Sequence, residues 1–394
     1  MPSTSAGLFR NLRPRDPAEP HRVATPLELL TDLCFVVAIA QAAAQLHHAI
    51  SGGHVELGLL GYAMAFFAIW WTWLNFSWFA SAYDNDDVAY RLLTILQIVG
   101  SLIIAAGIPA VFEEDFTVVV IGYLVMRVAL VIQWSRAARH DPRNAVTCRR
   151  YAIGIVVAQL CWLTILVMPL RWIPIAFLLF VVLELAVPIF AERAGRTQWH
   201  PHHIAERYAL FFIIVLGEVI LSTLASIQQA FAAAAGTEEL TTPWSVLIVA
   251  VSGVGIVFSL WWLYFSRSAG PILERAHDSP VTPFVWGFGH YFLFAGTAAI
   301  GAALGARVDH WGHTENVPVI ASAAMINGAV ALVLTMIWFL HLRHHQQSWR
   351  TAIPFGLAII ALLAAIFTPY PELFAAGICI LLLIVEVRFA GLAR

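Results

Sequence analysis

Apolar residues run along this chain in long, nearly uninterrupted blocks joined by short polar segments, and the block length is the first physical clue. A helix rising about 1.5 Å per residue needs about 20 apolar residues to cross a hydrocarbon layer of roughly 30 Å. Twelve blocks meet that requirement, at 27–47, 58–80, 88–111, 116–136, 149–168, 172–191, 204–227, 244–265, 281–305, 317–341, 350–368 and 371–390. They are too long and too uniformly apolar for barrel strands, and an open sheet edge would leave its backbone groups unsatisfied in lipid. The expectation is an all-α, polytopic integral membrane bundle of about 12 transmembrane helices. A tail over 1–25 precedes a single transmembrane domain over 26–394.

Arginine placement gives an orientation, because basic residues are retained on the cytoplasmic side during insertion. Arg10, Arg13, Arg15 and Arg22 mark the tail as inside. The even-numbered connections then also face the cytoplasm, and they hold Arg136, Arg139, Arg143, Arg149, Arg150, Arg193, Arg196, Arg267, Arg275, Arg343 and Arg350. The odd connections hold only Arg171 and Arg307. The second connection, Tyr83-Asp84-Asn85-Asp86-Asp87, is acidic, but carboxylates weigh little in this rule. Both termini are therefore expected in the cytoplasm and the bundle in the inner (plasma) membrane. The tail has Pro, Ser and Arg but no apolar h-region, which reads as disordered cytoplasmic chain and not as a cleaved signal peptide.

The two halves, about 26–192 and 200–394, share faint features. Arg150-Tyr151-Ala152-Ile153 leads to Pro169 and Glu184, and Arg350-Thr351-Ala352-Ile353 leads to Pro369 and Glu386. The runs Trp70-Trp71-Thr72-Trp73 and Trp261-Trp262-Leu263-Tyr264 match in place. A parallel six-plus-six duplication is one explanation, chance the other. Gly296, Gly301 and Gly305 include a GxxxG spacing that reads as close helix packing.

Composition agrees with the block pattern: 60% of the residues are apolar and 12% are charged, against roughly a quarter charged in a soluble chain. A net charge of −2 gives no basis for a nucleic-acid partner, and the lipid bilayer is the partner the composition implies. Cys34, Cys148, Cys161 and Cys379 have no paired spacing and read as buried, reduced thiols.

Charged groups inside the blocks are where function concentrates, since lipid burial of an ionised group costs several kcal/mol. Glu28 and Asp32 lie four residues apart and share a helix face. His203, Arg207 and Glu218 follow helical spacing along one stripe, with Glu218 roughly 16 Å beyond Arg207. Arg127 and His290 add a cation and an imidazole at depth. For Glu28, Arg127, Glu206 and Arg207 the plain alternative is an interhelical ion pair that fixes the bundle. Glu218 has no polar neighbour on its own turn and is the best candidate for a titrating relay. Glu184 and Glu386 lie toward the expected cytoplasmic ends, where snorkelling is easy.

His200, His202 and His203, with His277 and Asp278, could suit a transition metal, but their spacing matches no metal motif. Asp84, Asp86 and Asp87 alternate like a cation loop yet lack the Gly and the final Glu of a calcium loop, which favours a solvated turn. No Gly-rich phosphate loop, nucleophile elbow or HExxH occurs, so no motif names a cofactor.

Several separated motifs together resemble one family. They are Pro26-Leu27-Glu28-Leu29-Leu30-Thr31-Asp32-Leu33-Cys34-Phe35-Val36, then Trp78-Phe79-Ala80-Ser81-Ala82-Tyr83-Asp84-Asn85-Asp86-Asp87, then His203-Ile204-Ala205-Glu206-Arg207-Tyr208 leading to Val215-Leu216-Gly217-Glu218, and Trp286-Gly287-Phe288-Gly289-His290-Tyr291. In this order they are similar to the bacterial low temperature requirement A (LtrA) family. The resemblance implies a multi-pass membrane protein and does not by itself assign a reaction. The chain departs from the family pattern at Ser266, where relatives often carry Asp.

The resulting expectation is a proton- or ion-coupled transporter, or an ion-conducting protein, with a polar core built on the first and seventh blocks. The rivals are an intramembrane or membrane-surface enzyme, in which His, Asp and Glu would converge on one point, and a non-catalytic protein of membrane integrity, in which every buried charge would be paired.

Overall fold

The computed structural model describes residues 11–12, 14–16, 19, 22–234, 243–276, 279, 281–312, 318–344 and 348–392. Arg10, Arg13, His277 and Asp278 lie outside the described residues. The helices are α1 (Pro26–Ser51), α2 (Val55–Tyr83), α3 (Val88–Phe112), α4 (Thr117–His140), α5 (Ala145–Leu163), α6 (Ile173–Glu192), α7 (Pro201–Ala234), α8 (Pro243–Phe265), α9 (Gly270–Arg275), α10 (Thr282–Gly312), α11 (Val319–Leu340), α12 (Ser348–Ala365) and α13 (Pro371–Leu392). No strand occurs among the described residues. Each of the twelve expected blocks falls on one of the long helices, and α9 is a six-residue addition. Ten helices among the described residues are long and apolar enough to cross a membrane. The other two expected spans fall on α12, whose apolar stretch among the described residues is Ala352–Ala365, and on α13.

Local chemistry sets the helix starts. Thr25 and Glu28 form a capping box: the Glu28 N–H donates to Thr25 Oγ1 at 3.3 Å and the Thr25 N–H donates to Glu28 Oε2 at 2.7 Å. Pro26 stands at the first helical position, where its missing N–H is harmless. Asp87 caps α3 by accepting from the Tyr90 N–H at 2.6 Å.

The chain divides into two compact units. The first comprises Met1–Gln41 and Met64–Arg207, the second Ala42–Ala63 and Tyr208–Arg394. In the first, α3, α4, α5 and α6 pack in chain order; in the second, α10, α11, α12 and α13 do the same, with α8 against α13 and α10. Polarity is inverted relative to a water-soluble globule. Ile175, Leu178, Leu179, Val182, Ile189 and Phe190 of α6 are exposed while Glu184 on the same helix is buried. Lipid solvates the apolar faces and the charge turns inward.

The described residues of the tail make defined contacts that a disordered chain would lack. Leu12 is buried in a cluster with Phe79, Tyr83, Tyr90 and Trp134, and its N–H donates to His140 Nδ1 at 3.3 Å. The Arg15 N–H donates to the Ala82 carbonyl at 2.9 Å, and Arg22 donates to the carbonyls of Ala80, at 2.7 Å, and Ser81. One leucine and two arginines that find carbonyls at the end of α2 supply contacts that a polar composition does not announce.

Two further expectations are corrected. Arg307 is not in a connection: α10 runs to Gly312 and buries it, its Nε donating to Glu372 Oε2 at 2.9 Å. The helix continues about two turns past the apolar block because Arg307 has a carboxylate to meet. Glu184 does not snorkel. It is 1% exposed, because four donors on neighbouring helices surround its carboxylate (below).

Candidate functional site

Within the first unit, the N-terminal turns of α1 and α7 and the C-terminal half of α2 enclose a polar cluster. Arg207 donates to both oxygens of Asp32, at 2.7 and 2.6 Å, and both side chains are fully buried. Trp73 Nε1 donates to Asp32 Oδ1 at 2.8 Å, and Ser77 Oγ lies 3.4 Å from Arg207. One turn nearer the helix starts, His203 Nε2 lies 3.2 Å from Glu28 Oε1 and 3.3 Å from Oε2. Helical spacing makes this possible: residues four apart on α1 face residues four apart on α7. The His203 N–H in turn meets His200 Nδ1 at 3.2 Å, and the His200 N–H donates to Ser81 Oγ at 3.1 Å. The fork of Arg207 matches the carboxylate and fixes α1 to α7. Glu206 stands at the edge of this cluster, half-buried, with a backbone hydrogen bond from Ala24.

The acidic connection is a turn, as expected, but only Asp86 is solvated: Asp84 and Asp87 are buried. Asp86 adopts a left-handed φ of 51° and forms an exposed pair with Arg91 at 2.7 Å. Asp87 adds a 2.7 Å contact from Arg136 to its capping role. Asp84 accepts from the Asp86 N–H at 2.9 Å and is 4% exposed. Burial pushes its carboxyl up to about 6, with the nearby Glu28 charge acting in the same direction and Arg22 and Arg15 against it.

Arg127 belongs to a second buried group in the same unit. Glu184 accepts from Trp71 Nε1 at 2.8 Å, Tyr123 Oη at 2.6 Å, Trp162 Nε1 at 3.1 Å and Arg127 at 3.2 Å. An apolar cavity of about 40 Å³ adjoins Tyr123 and Trp162, lined also by Met64, Phe116 and Phe177. With its polar neighbours turned toward Glu184, this cavity has nothing to hold water.

In the second unit, Glu218 is 9% exposed on α7 and makes no hydrogen bond or ion pair among the described residues. His290 is fully buried against Tyr264, Trp286 and His341. Gly296, Gly301 and Gly305 are packing positions: a Cβ on Gly301 would sit 2.6 Å from Ser222 Oγ, and one on Gly305 would sit 3.0 Å from the His47 ring. Among the described residues, no group of three or more His, Cys, Asp or Glu side chains could hold a metal ion.

Sequence reasoning named both acids and both bases of the α1–α7 cluster but missed Trp73 and Ser77, whose signal was their four-residue spacing on α2. It also missed the Thr25-x-x-Glu28 capping box, which is legible as a motif, and the pairs Arg307–Glu372 and His47–Asp309, the latter at 2.6 Å.

With ten helices long and apolar enough to span a membrane and no strand among the described residues, with exposed apolar surfaces and buried charge, the chain is a multi-pass membrane protein. The family model described as bacterial low temperature requirement A protein (LtrA) matches residues 23–387, and the chain belongs to that family. It is also similar to the uncharacterized protein RA0937 of Rhizobium meliloti (strain 1021), 26% identical over 283 residues, covering 68% of this chain and 66% of the relative. No solved structure matches.

Proposed function

We propose that this protein moves a small ion across the bacterial inner membrane, coupled to proton movement, with Glu218 as the titrating group. The observation that carries this reading is that Glu218 is buried in a membrane-spanning helix without a partner among the described residues. A purely structural carboxylate in lipid takes a cation or donors, as Asp32, Glu184 and Glu372 do. The polar groups of α1 and α7, Glu28, Asp32, His203 and Arg207, supply the fixed charge against which a cation or proton is balanced. Both termini are cytoplasmic in this reading, since the even connections carry nearly all the connection arginines.

Glu218→Gln keeps the shape and removes the ionisable proton. The expected outcome in proteoliposomes under an imposed pH gradient is loss of pH-coupled flux, at unchanged detergent melting temperature. A normal melting temperature with unchanged flux removes Glu218 from the mechanism.

A further inference from the structure

Three side chains of the second unit meet at one end of its helices. Tyr264 is the penultimate residue of α8, His290 lies in the third turn of α10, and His341 directly follows α11. Their exposures are 3%, 0% and 1%. His290 Nδ1 lies 2.7 Å from the Trp286 carbonyl oxygen. A carbonyl only accepts, so Nδ1 carries the proton and Nε2 presents its lone pair. That lone pair faces two groups at once: Tyr264 Oη at 3.2 Å and His341 Nε2 at 3.5 Å.

Hydrogen bonding accounts poorly for this geometry. An imidazole nitrogen has one lone pair and cannot accept well from two donors. Both separations also exceed good values, about 2.8 Å for a hydroxyl donor and about 2.9 Å for an N–H. They do fit the edges of a coordination polyhedron. An ion about 2.05 Å from both imidazole nitrogens, 3.5 Å apart, subtends an angle of about 117°. An ion about 2.0 Å from the phenol oxygen, 3.2 Å from His290 Nε2, subtends about 104°. The two values bracket the tetrahedral angle. The bond from His290 Nδ1 to a backbone carbonyl is also the usual orienting contact behind a ligating histidine.

We propose that His290 Nε2, His341 Nε2 and Tyr264 Oη form a three-ligand site for a first-row transition metal ion that prefers imidazole, with Zn²⁺ the reference ion. Three protein ligands leave the fourth position of a tetrahedral ion to a water or small solute bound with it. On binding, the phenol loses its proton to solvent and the phenolate ligates, so Zn²⁺ with two neutral imidazoles leaves a net charge of +1. Tyr208 and Trp286, whose rings lie 4.7 and 4.3 Å from the His290 ring, offset that charge through their π faces. The site is distinct from the histidines at 200–203, which belong to the first unit.

The test uses the full chain in detergent, stripped with chelator, loaded with ZnCl2 or CoCl2 and desalted. The expected result is one Zn²⁺ per chain by elemental analysis, and visible d–d bands of a four-coordinate ion with Co²⁺. Tyr264→Phe deletes only the ligating oxygen, and His290→Gln and His341→Gln each delete one nitrogen. Each substitution is expected to weaken Zn²⁺ binding about a hundredfold or more and to abolish the four-coordinate Co²⁺ bands. His202→Gln, at an exposed histidine of the first unit, keeps both signals. Should a histidine variant fail to fold, Tyr264→Phe decides, because its ring packing is intact. A wild type that retains no Zn²⁺, or a folded Tyr264→Phe that binds both ions like wild type, overturns the site.

Discussion

At the scale of single residues, two substitutions separate charge that stabilises from charge that is tolerated. Asp32 and Arg207 are both fully buried, so Arg207→Ala strands an unpaired carboxylate and is expected to cost about 3 to 5 kcal/mol. Arg207→Lys keeps the charge but not the two-pronged fit, and melting curves in detergent should place it between wild type and Arg207→Ala. Asp84 behaves oppositely. Its carboxyl, pushed up to about 6 from 3.8, favours the protonated form, so the folded state binds more protons than the unfolded one between those values and stability falls as pH rises through that window. Asp84→Asn should raise the unfolding free energy at pH 7.5 by about 1 to 3 kcal/mol, seen as a higher melting temperature, and leave both unchanged near pH 4. Equal shifts at both pH values would show that the effect is not ionisation. The sequence made Asp32 and Arg207 legible because charge in an apolar block is conspicuous. It could not make Asp84 legible, because its burial depends on Arg15 and Arg22 of the tail reaching back over the end of α2.

At the scale of helices, the apolar blocks disclosed where each element runs, and close packing decides how neighbours meet. α3 and α4 approach through Gly100 and Gly122. A Cβ on Gly122 would lie 2.7 Å from the Ile104 nitrogen and 2.8 Å from the Gly100 carbonyl oxygen, both backbone atoms that cannot rotate aside. Gly122→Ala should therefore lower detergent stability by about 1 to 3 kcal/mol. Gly356→Ala, where a Cβ meets nothing within 4 Å, should be neutral or slightly stabilising through helix propensity. Matching melting temperatures for the two variants would refute the close approach. The block pattern could not disclose this contact, since Gly100 and Gly122 each look like one more small residue in an apolar run. It also ended the α10 block before Arg307, because a charge closes a hydropathy window whether or not a partner on another helix waits for it. The burial of Glu184, inside its block, was hidden because the ring of Trp71, Tyr123, Arg127 and Trp162 comes from three other helices.

At the scale of the whole chain, alternation of the spans is testable against the first unit alone. If α1 through α6 alternate, the tail and the second, fourth and sixth connections must share one end. Arg15 of the tail bonds to Ala82 beside the second connection, Leu12 bonds to His140 beside the fourth, and His200 of the sixth bonds to Ser81. Thr147 after the fourth also meets the Gly195 carbonyl of the sixth at 2.8 Å. The acidic second connection, the weakest point in the arginine pattern, is matched in place by Arg15, Arg22, Arg91 and Arg136. With Arg307 removed to the interior of α10, Arg171 is the one connection arginine left on the odd side among the described residues. The shared end therefore carries the basic residues, and the proposed orientation puts it in the cytoplasm. Single cysteines at Asn144 and at exposed Glu113 test this, in a background with the partly accessible Cys34 and Cys161 replaced by Ser. In intact cells a membrane-impermeant maleimide should label Glu113→Cys and spare Asn144→Cys until the membrane is permeabilised. Labelling of Asn144→Cys in intact cells would invert the orientation and, with it, the side from which His203 and Arg207 are reached.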